Sequence, residues 1–400
     1  MGIRSLVLAN LVPREEIDLE ISEKLDAIVE WPKKLAQSRA KSDRVRLITM
    51  PHLCQANCFP RTRYQGSKRR LAGGIVRQVA ELEFTTVLDA FGGTGAVAYA
   101  FKRAGKAVTY NDYLAFNHQI GLALIENDTV RLDDDVVDAV VASQLGVQYP
   151  DFIEKTFAGI YFTPAENRWL DVAVTNIRNL DGPYQRALAW FALFQAAMAK
   201  RPYNLFHRSN LYMRTADVPR GFGNKASWDR GFPEHFRRFV AEANAAVFES
   251  THPCRAFCQD VLALEPGYDL VYIDPPYINR AGVGVHYRAF YHFLEGMFRY
   301  DQWPTLVDRR SKHRRLLPQT CPWTDAKNCH AMFRRLFHHF RDSILVVSYR
   351  SDGIPSIDGL IGLLREVKPA VEAVTADRCQ YVLSTSRETK QVLLVGMDHA

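Results

Sequence analysis

The chain has 400 residues, 24% of them charged and 47% apolar, which describes a globular protein long enough for one large core and an appended lobe. Its formal charge of +7 favours a polyanionic partner without requiring one, since many ordinary enzymes carry as much. The longest apolar run, residues 188–198, is far short of the roughly 20 residues that cross a bilayer and ends at Lys200-Arg201, which excludes a membrane-spanning helix.

Residues 1–60 mix charge with isolated apolar positions, with helix-like spacing over 17–31 until Pro32 stops it, and are expected to form an N-terminal extension. From Phe84 the texture changes. The apolar run at 86–90 ends in Gly92-Gly93-Thr94-Gly95 and a helix-forming stretch over 96–103, which predicts strand, tight turn and helix. A second strand over 107–110 ends at Asn111-Asp112 and is followed by a helix over 115–126. The alternation then lapses, and helices are expected over 165–180, 183–199 and 232–247. Strands resume at 255–258, 269–273, 343–348, 381–384 and 391–396, with helices over 326–340 and 357–366 between them. Alternating strands and helices predict a doubly wound α/β sheet interrupted by an inserted, mainly helical lobe. The expected divisions are 61–150 and 255–400 as two parts of one catalytic domain, with the insertion at 151–254.

The seven cysteines, Cys54, Cys58, Cys254, Cys258, Cys321, Cys329 and Cys379, are odd in number and no signal-like segment opens the chain, so free thiols in a reducing cytoplasm are expected. Two pairs share a C-x-x-x-C spacing, but structural zinc sites use tighter knuckles, and no metal is expected.

The strongest chemical signal is Asp274-Pro275-Pro276-Tyr277, at the carboxyl end of the strand over 269–273, where open α/β sheets bind ligands. Two prolines stiffen the backbone and remove two N–H donors, leaving carbonyl oxygens beside a carboxylate and an aromatic ring. That is an acceptor-rich clamp for an amino group. Adenine N6 is a poor nucleophile because its lone pair is delocalised; bonds to Asp274 and the Pro275 carbonyl would favour a reactive, pyramidal nitrogen, with Tyr277 stacked on the base. In Asp89-Ala90-Phe91-Gly92-Gly93-Thr94-Gly95 the glycines let backbone approach a ligand. The spacing is not that of a dinucleotide fingerprint, and Asp89 would repel a pyrophosphate but attract an ammonium group. Asp112, ending the next strand, suits ribose hydroxyls.

These motifs stand in a recognisable order: Tyr64-x-Gly66-Ser67-Lys68, Asp89-x-Phe91-x-Gly93-x-Gly95, Asn111-Asp112 and, after the insertion, Asp274-Pro275-Pro276-Tyr277. The chain thereby resembles the Dam-type (D12 class, alpha-group) N6-adenine DNA methyltransferases over about 61–130 and 255–395. The resemblance implies a mixed seven-stranded, Rossmann-like sheet, S-adenosylmethionine as methyl donor, double-stranded DNA as partner and a target-recognition lobe before D-P-P-Y. It implies that Tyr64 and Lys68 hold the donor's methionine end, Asp112 its ribose, and Asp260 a place near its adenine, with Asp274 between donor and target base. It also likens 287–297 to the helix after D-P-P-Y. The N-terminal extension, the size of the insertion and an extra loop at 305–328 depart from that pattern.

Basic, aromatic and amide residues interleave in Arg201, Asn204, His207 and Arg208, in Lys225 within 214–238, and in Arg310 and Lys312 within 309–315; these are the expected DNA contacts. The alternatives are N4-cytosine methylation, because the clamp recognises an amino group common to both bases, and a non-catalytic DNA-binding protein that retains the fold. RNA is a weaker fit to the large lobe. Pro253-Cys254 resembles the nucleophile pair of cytosine-C5 enzymes, but that cysteine belongs after the strand where this chain has D-P-P-Y. A companion restriction endonuclease fits the family and is not needed for activity.

Overall fold

The computed structural model describes residues 58–217, 225–376 and 389–398. The expected helix at 17–31 and strand at 381–384, with Cys54 and Cys379, lie outside the described residues. Seven strands are present: β1 (Thr86–Asp89), β2 (Ala107–Asn111), β3 (Arg255–Phe257), β4 (Leu270–Ile273), β5 (Ile344–Arg350), β6 (Ala370–Ala376) and β7 (Gln391–Met397). They form one sheet in the order β3-β2-β1-β4-β5-β7-β6, parallel except for β7, which runs antiparallel between β5 and β6. The expected mixed seven-stranded architecture is therefore observed.

The central strands read as continuous apolar runs because helices cover both faces of a parallel sheet. Val87 and Leu88 of β1 and all of β4 are buried. The register sets Asp89 beside Tyr272, so the chain leaves β1 and β4 at the same edge, one at the glycine turn and the other at D-P-P-Y. β6 was not anticipated. Its Ala-Val-Glu-Ala-Val-Thr-Ala sequence dilutes three β-branched residues with alanines and a glutamate, which strands disfavour, and the ladder to β7 at the sheet's rim completes it.

The helices over Ala96–Arg103, Pro164–Arg178, Pro183–Ala199, Phe232–Ala246, Cys329–His339 and Ile357–Arg365 fall close to expectation. Thr163 and Glu166 close a capping box on the second of these. The expected helix at 115–126 is an α-helix, Ala115–Gly121, continued by a π-turn, Leu122–Glu126. The helix over 287–297 is broken at Tyr291 into Tyr287–Phe290 and His292–Phe298. Helix Pro183–Ala199 is buried all round from Ala187 onward because it packs against both Phe232–Ala246 and the 115–126 segment, which explains why it lacks an amphipathic stripe. The helical stretch between β2 and β3 thus shares one hydrophobic core with the sheet, and the described residues belong to one compact unit. No helix among the described residues is long and apolar enough to cross a membrane.

A buried charge cluster ties that stretch together. Glu166 Oε1 accepts from Lys200 Nζ at 2.8 Å and from Arg214 Nη2 at 2.6 Å, and both cations are almost wholly buried. Removing the anion strands two charges in apolar surroundings. Glu166→Ala is expected to cost about 3–5 kcal/mol in urea denaturation. Glu154→Ala, which breaks only the exposed pair with Arg168, should leave the midpoint nearly unchanged.

Candidate active site

A cavity of about 710 Å³ opens at the carboxyl edge of β1, β2 and β4, a size suited to a nucleoside-bearing ligand. Tyr64, Lys68, Asp89, Phe91, Gly93 and Asp112 line it from one side. Asp260, Asp274 and Pro276 line it from the other, so residues far apart in sequence converge on one site. Gly95 serves the turn without facing the cavity: Gly93 and Gly95 have φ of 53° and 74°, left-handed values that a side chain would strain. The turn is held by Tyr110, whose hydroxyl donates to the Gly93 carbonyl at 2.8 Å.

Three carboxylates meet here. Asp89 is buried at the end of β1; its Oδ2 accepts from the Ala98 N–H at 3.1 Å, whereas Oδ1 has no hydrogen-bond partner, the nearby Phe91 N–H favouring the charge without meeting bonding geometry. Burial, then the charge of Asp274, pushes its pKa up to about 8. Asp112 is better served. It accepts from the N–H groups of Gly93 (2.9 Å) and Leu114 (2.8 Å) and from Asn117 Nδ2 (3.1 Å), and burial prevails over those bonds to raise its pKa to about 6. Asp274 is held by one cation and one hydroxyl: Lys68 Nζ lies 2.8 and 2.6 Å from its two oxygens, and the Tyr277 hydroxyl donates to Oδ1 at 2.5 Å. Asp260 is exposed at the rim and caps a short turn through Leu262 N–H.

Several residues depart from expectation. Lys68 is bound to Asp274, not left free for a ligand's carboxylate. Tyr277, expected to stack on the base, is buried with its ring edge-on to Tyr349 at 5.0 Å; Gln391 Nε2 donates to its hydroxyl at 3.0 Å, and that hydroxyl donates to Asp274. Pro275 is likewise buried. Tyr64 is engaged by neighbours that the sequence motifs did not single out. It stacks on Tyr291 at 4.4 Å and Tyr287 at 5.5 Å, and its hydroxyl accepts from Asn117. Tyr287 and Tyr291 are four apart, a helical spacing that could have marked a shared face. Gln391, more than a hundred residues from Tyr277, left no local signal.

Of the expected DNA contacts, Arg201 must be corrected. It is 1% exposed, stacks over Tyr161 at 4.5 Å, and donates to the carbonyls of Leu205 (3.2 Å) and Arg208 (2.6 Å), so it clamps the loop rather than a phosphate. Arg208, Lys225, Arg310 and Lys312 are exposed, Lys225 beside Asp229 at 2.8 Å, and Asn204 and His207 are half-buried. His207 is neutral at pH 7 because burial, reinforced by Arg208 and Arg201, lowers its pKa to about 4. None of these lines the cavity, but Phe206 N–H donates to the carbonyl of cavity-lining Phe290 at 2.9 Å, which sets the loop of Asn204, His207 and Arg208 beside it. Among the described residues no group of three or more His, Cys, Asp or Glu side chains is placed to hold a metal ion, and Cys254 and Cys258 are free thiols.

A model of the D12 class N6 adenine-specific DNA methyltransferase family matches residues 64–315, more than half of the chain. The chain belongs to this family. The type II methyltransferase M2.HphI of Haemophilus parahaemolyticus is 30% identical over 244 residues, 59% of this chain and 70% of that protein. Modification methylases StsI of Streptococcus sanguinis and LlaI of Lactococcus lactis subsp. lactis are 24% and 26% identical over 76% and 81% of this chain. The chain spans about half the length of those two, 46% and 52%. This N6-adenine methyltransferase therefore uses S-adenosylmethionine as methyl donor and DNA as substrate, as its family membership implies.

The residues present fit that donor. A buried carboxylate with an unbonded oxygen suits a cationic ammonium, and the glycine turn leaves room beside it. The same carboxylate weakens the ligand-free fold. With a folded pKa above its unfolded value, Asp89 holds its proton more tightly in the native state, so stability falls as pH rises from about 4 to about 8. Asp89→Asn removes the charge while keeping an acceptor for Ala98. Thermal melts should show the ligand-free variant gaining on wild type between pH 6 and pH 9, by on the order of 2 kcal/mol.

Proposed function

We propose that this methyltransferase carries out direct, in-line methylation of adenine N6 in duplex DNA after flipping the base, as the modification enzyme of a restriction-modification system. The observation that carries the reading is the position of Asp274: it projects from the end of β4 into the same cavity as the glycine turn, close enough to Asp89 for their charges to interact. The relatives' names, a type II methyltransferase and two modification methylases, support the restriction-modification context. The site is proposed to work without a metal and without a covalent adduct, inside the cell.

When bound, S-adenosylmethionine supplies an electrophilic methyl on a sulfonium. The chain's own residues do the rest. Asp89 holds the donor's ammonium, Asp112 and Asp260 face its adenosine portion, and the glycine turn lets the backbone close on it. Asp274 and the Pro275 carbonyl accept the two N6–H bonds of the extruded adenine, drawing the lone pair out of conjugation with the ring. Lys68 and Tyr277 fix the Asp274 carboxylate before the base arrives, and Gln391, bonded also to Ser348 at 2.6 Å, fixes Tyr277 in turn. Preorganisation of this kind removes a reorganisation cost from the reacting complex. Of the aromatic side chains that line the cavity, we assign Tyr287 and Phe290, in the short helix after D-P-P-Y, to contact with the base.

Asn204, Arg208, Lys225, Arg310 and Lys312 are proposed to hold the phosphate backbone, with neutral His207 a hydrogen-bonding contact. Support comes from the loop beside the cavity: Tyr203 and Asn204 both have left-handed backbones, with φ of 63° and 58°, and Tyr203 is 56% exposed. Strain of that kind, costing roughly 1–3 kcal/mol per residue, tends to persist where function requires it.

Two measurements test the chemistry. Asp274→Ala should lower labelled methyl incorporation into DNA by about 100-fold or more, the range seen on removing a group that stabilises a transition state. Tyr277→Ala should act in the same direction; undiminished incorporation in both would refute the assignment, and nucleoside analysis showing N4-methylcytosine would move it to the other base. Donor binding should also release a proton. Asp89, largely protonated at pH 7, must ionise to meet an ammonium, so affinity should rise with pH up to about 8. Calorimetry at pH 7 in buffers of different ionisation enthalpy should detect close to one proton released, and no release in Asp89→Asn.

A further inference from the structure

The family match stops at residue 315, and the next segment of chain crosses the cavity. Residues 315–324 line it as a strap tied at several points. Leu316 bridges to Val307 at one end, and Arg288 Nη1 donates to the Leu317 carbonyl at 2.7 Å. Gln319 Nε2 donates to the Tyr113 hydroxyl, just past β2. At the other end Thr324 Oγ1 meets His286 Nδ1 at 3.3 Å and packs so closely on Gly284 that a Cβ there would lie 2.6 Å from the Thr324 carbonyl oxygen. The strap therefore joins the edge of β2 to the loop after D-P-P-Y.

We propose that this strap is the outer wall of the donor-binding half of the cavity, and that Trp323 is the aromatic plate for the donor's purine. The inference rests on the methyltransferase function proposed above. Trp323 lines the cavity and is 8% exposed, with its ring edge-on to Phe91 of the glycine turn at 5.0 Å. It is braced from behind by Phe333, at 5.5 Å and 89°. With Pro322 and Val261 these rings make an apolar wall, and the exposed carboxylate of Asp260 stands beside it, near enough to Cys321 to act on that thiol's charge. A flat apolar slot with a carboxylate at its margin fits a heteroaromatic ring carrying an exocyclic amino group: the faces contact carbon and the amino hydrogens meet the acceptor.

The test is binding of S-adenosylhomocysteine, which carries the purine but cannot transfer a methyl group, followed by calorimetry and by intrinsic tryptophan fluorescence. Wild type should show a fluorescence change on binding that Trp323→Phe abolishes and Trp303→Phe, in the core, retains. Trp323→Phe should keep its affinity within about threefold because a ring remains, whereas Trp323→Ala should bind about tenfold more weakly or worse. A tryptophan that only filled the core would leave the fluorescence response in place in Trp323→Phe. That result, or wild-type affinity in Trp323→Ala, would overturn the proposal. If the alanine variant does not fold, as shown by its melt, the phenylalanine fluorescence comparison decides alone. Failure of the wild type to bind S-adenosylhomocysteine at all would instead bring down the donor-binding function on which the proposal depends.

Discussion

The ion pair between Lys68 and Asp274 joins residues 206 positions apart and holds the site together. Its lysine is nearly buried and its aspartate only slightly accessible. A pair so placed adds little net stability, because the desolvation of both charges offsets most of their attraction, but either partner alone would be strongly unfavourable. Its effect is therefore positional. It draws the Tyr64–Lys68 segment across the glycine turn, where Ser67 Oγ meets Thr94 Oγ1 at 3.2 Å and Gln65 N–H donates to the Tyr291 hydroxyl at 2.7 Å. The turn, D-P-P-Y and the helix after it become walls of one cavity.

The parts of this arrangement that are local in sequence could be anticipated from it. A strand ending in glycines, a strand ending in paired prolines, and a helix with Thr163 and Glu166 at its start each carry their physical cause within a few residues. The convergence of Asp89, Asp112, Asp260 and Asp274 on one edge followed from their places at strand ends, because a parallel sheet brings those ends level. What sequence could not show was determined by packing at a distance. Arg201 has the composition of a phosphate contact, yet Tyr161, forty residues upstream, covers its guanidinium and backbone carbonyls consume its donors. Tyr277 belongs to a motif that predicts an open aromatic face, but Tyr349 and Gln391 enclose it from strands that follow much later. β6 depends on its partner strand, and Trp323 lies in a segment with no regular period.

Gathering three carboxylates at one sheet edge is costly in the empty protein. Lys68 neutralises one and backbone N–H groups serve a second, but Asp89 is left with an unbonded buried oxygen and meets its cost by holding a proton. A cationic donor removes the conflict. The same feature that weakens the free fold therefore favours the ligand. Hydrophobic burial elsewhere carries the stability that this site withholds.

The lobe before D-P-P-Y follows a related logic. A loop proposed to hold DNA must be accurate in position although several of its residues are exposed. Here the accuracy comes from beneath. Helix Pro183–Ala199 shares its core with the sheet, Glu166 binds Lys200 at that helix's end, and Arg201, the next residue, spans the loop from inside through the carbonyls of Leu205 and Arg208. A lysine could not substitute, because its single ammonium cannot reach both carbonyls in fixed directions as the planar guanidinium does. The basic residue that least resembles a DNA contact once its surroundings are known is thus the one that fixes where Asn204 and Arg208 stand relative to the cavity.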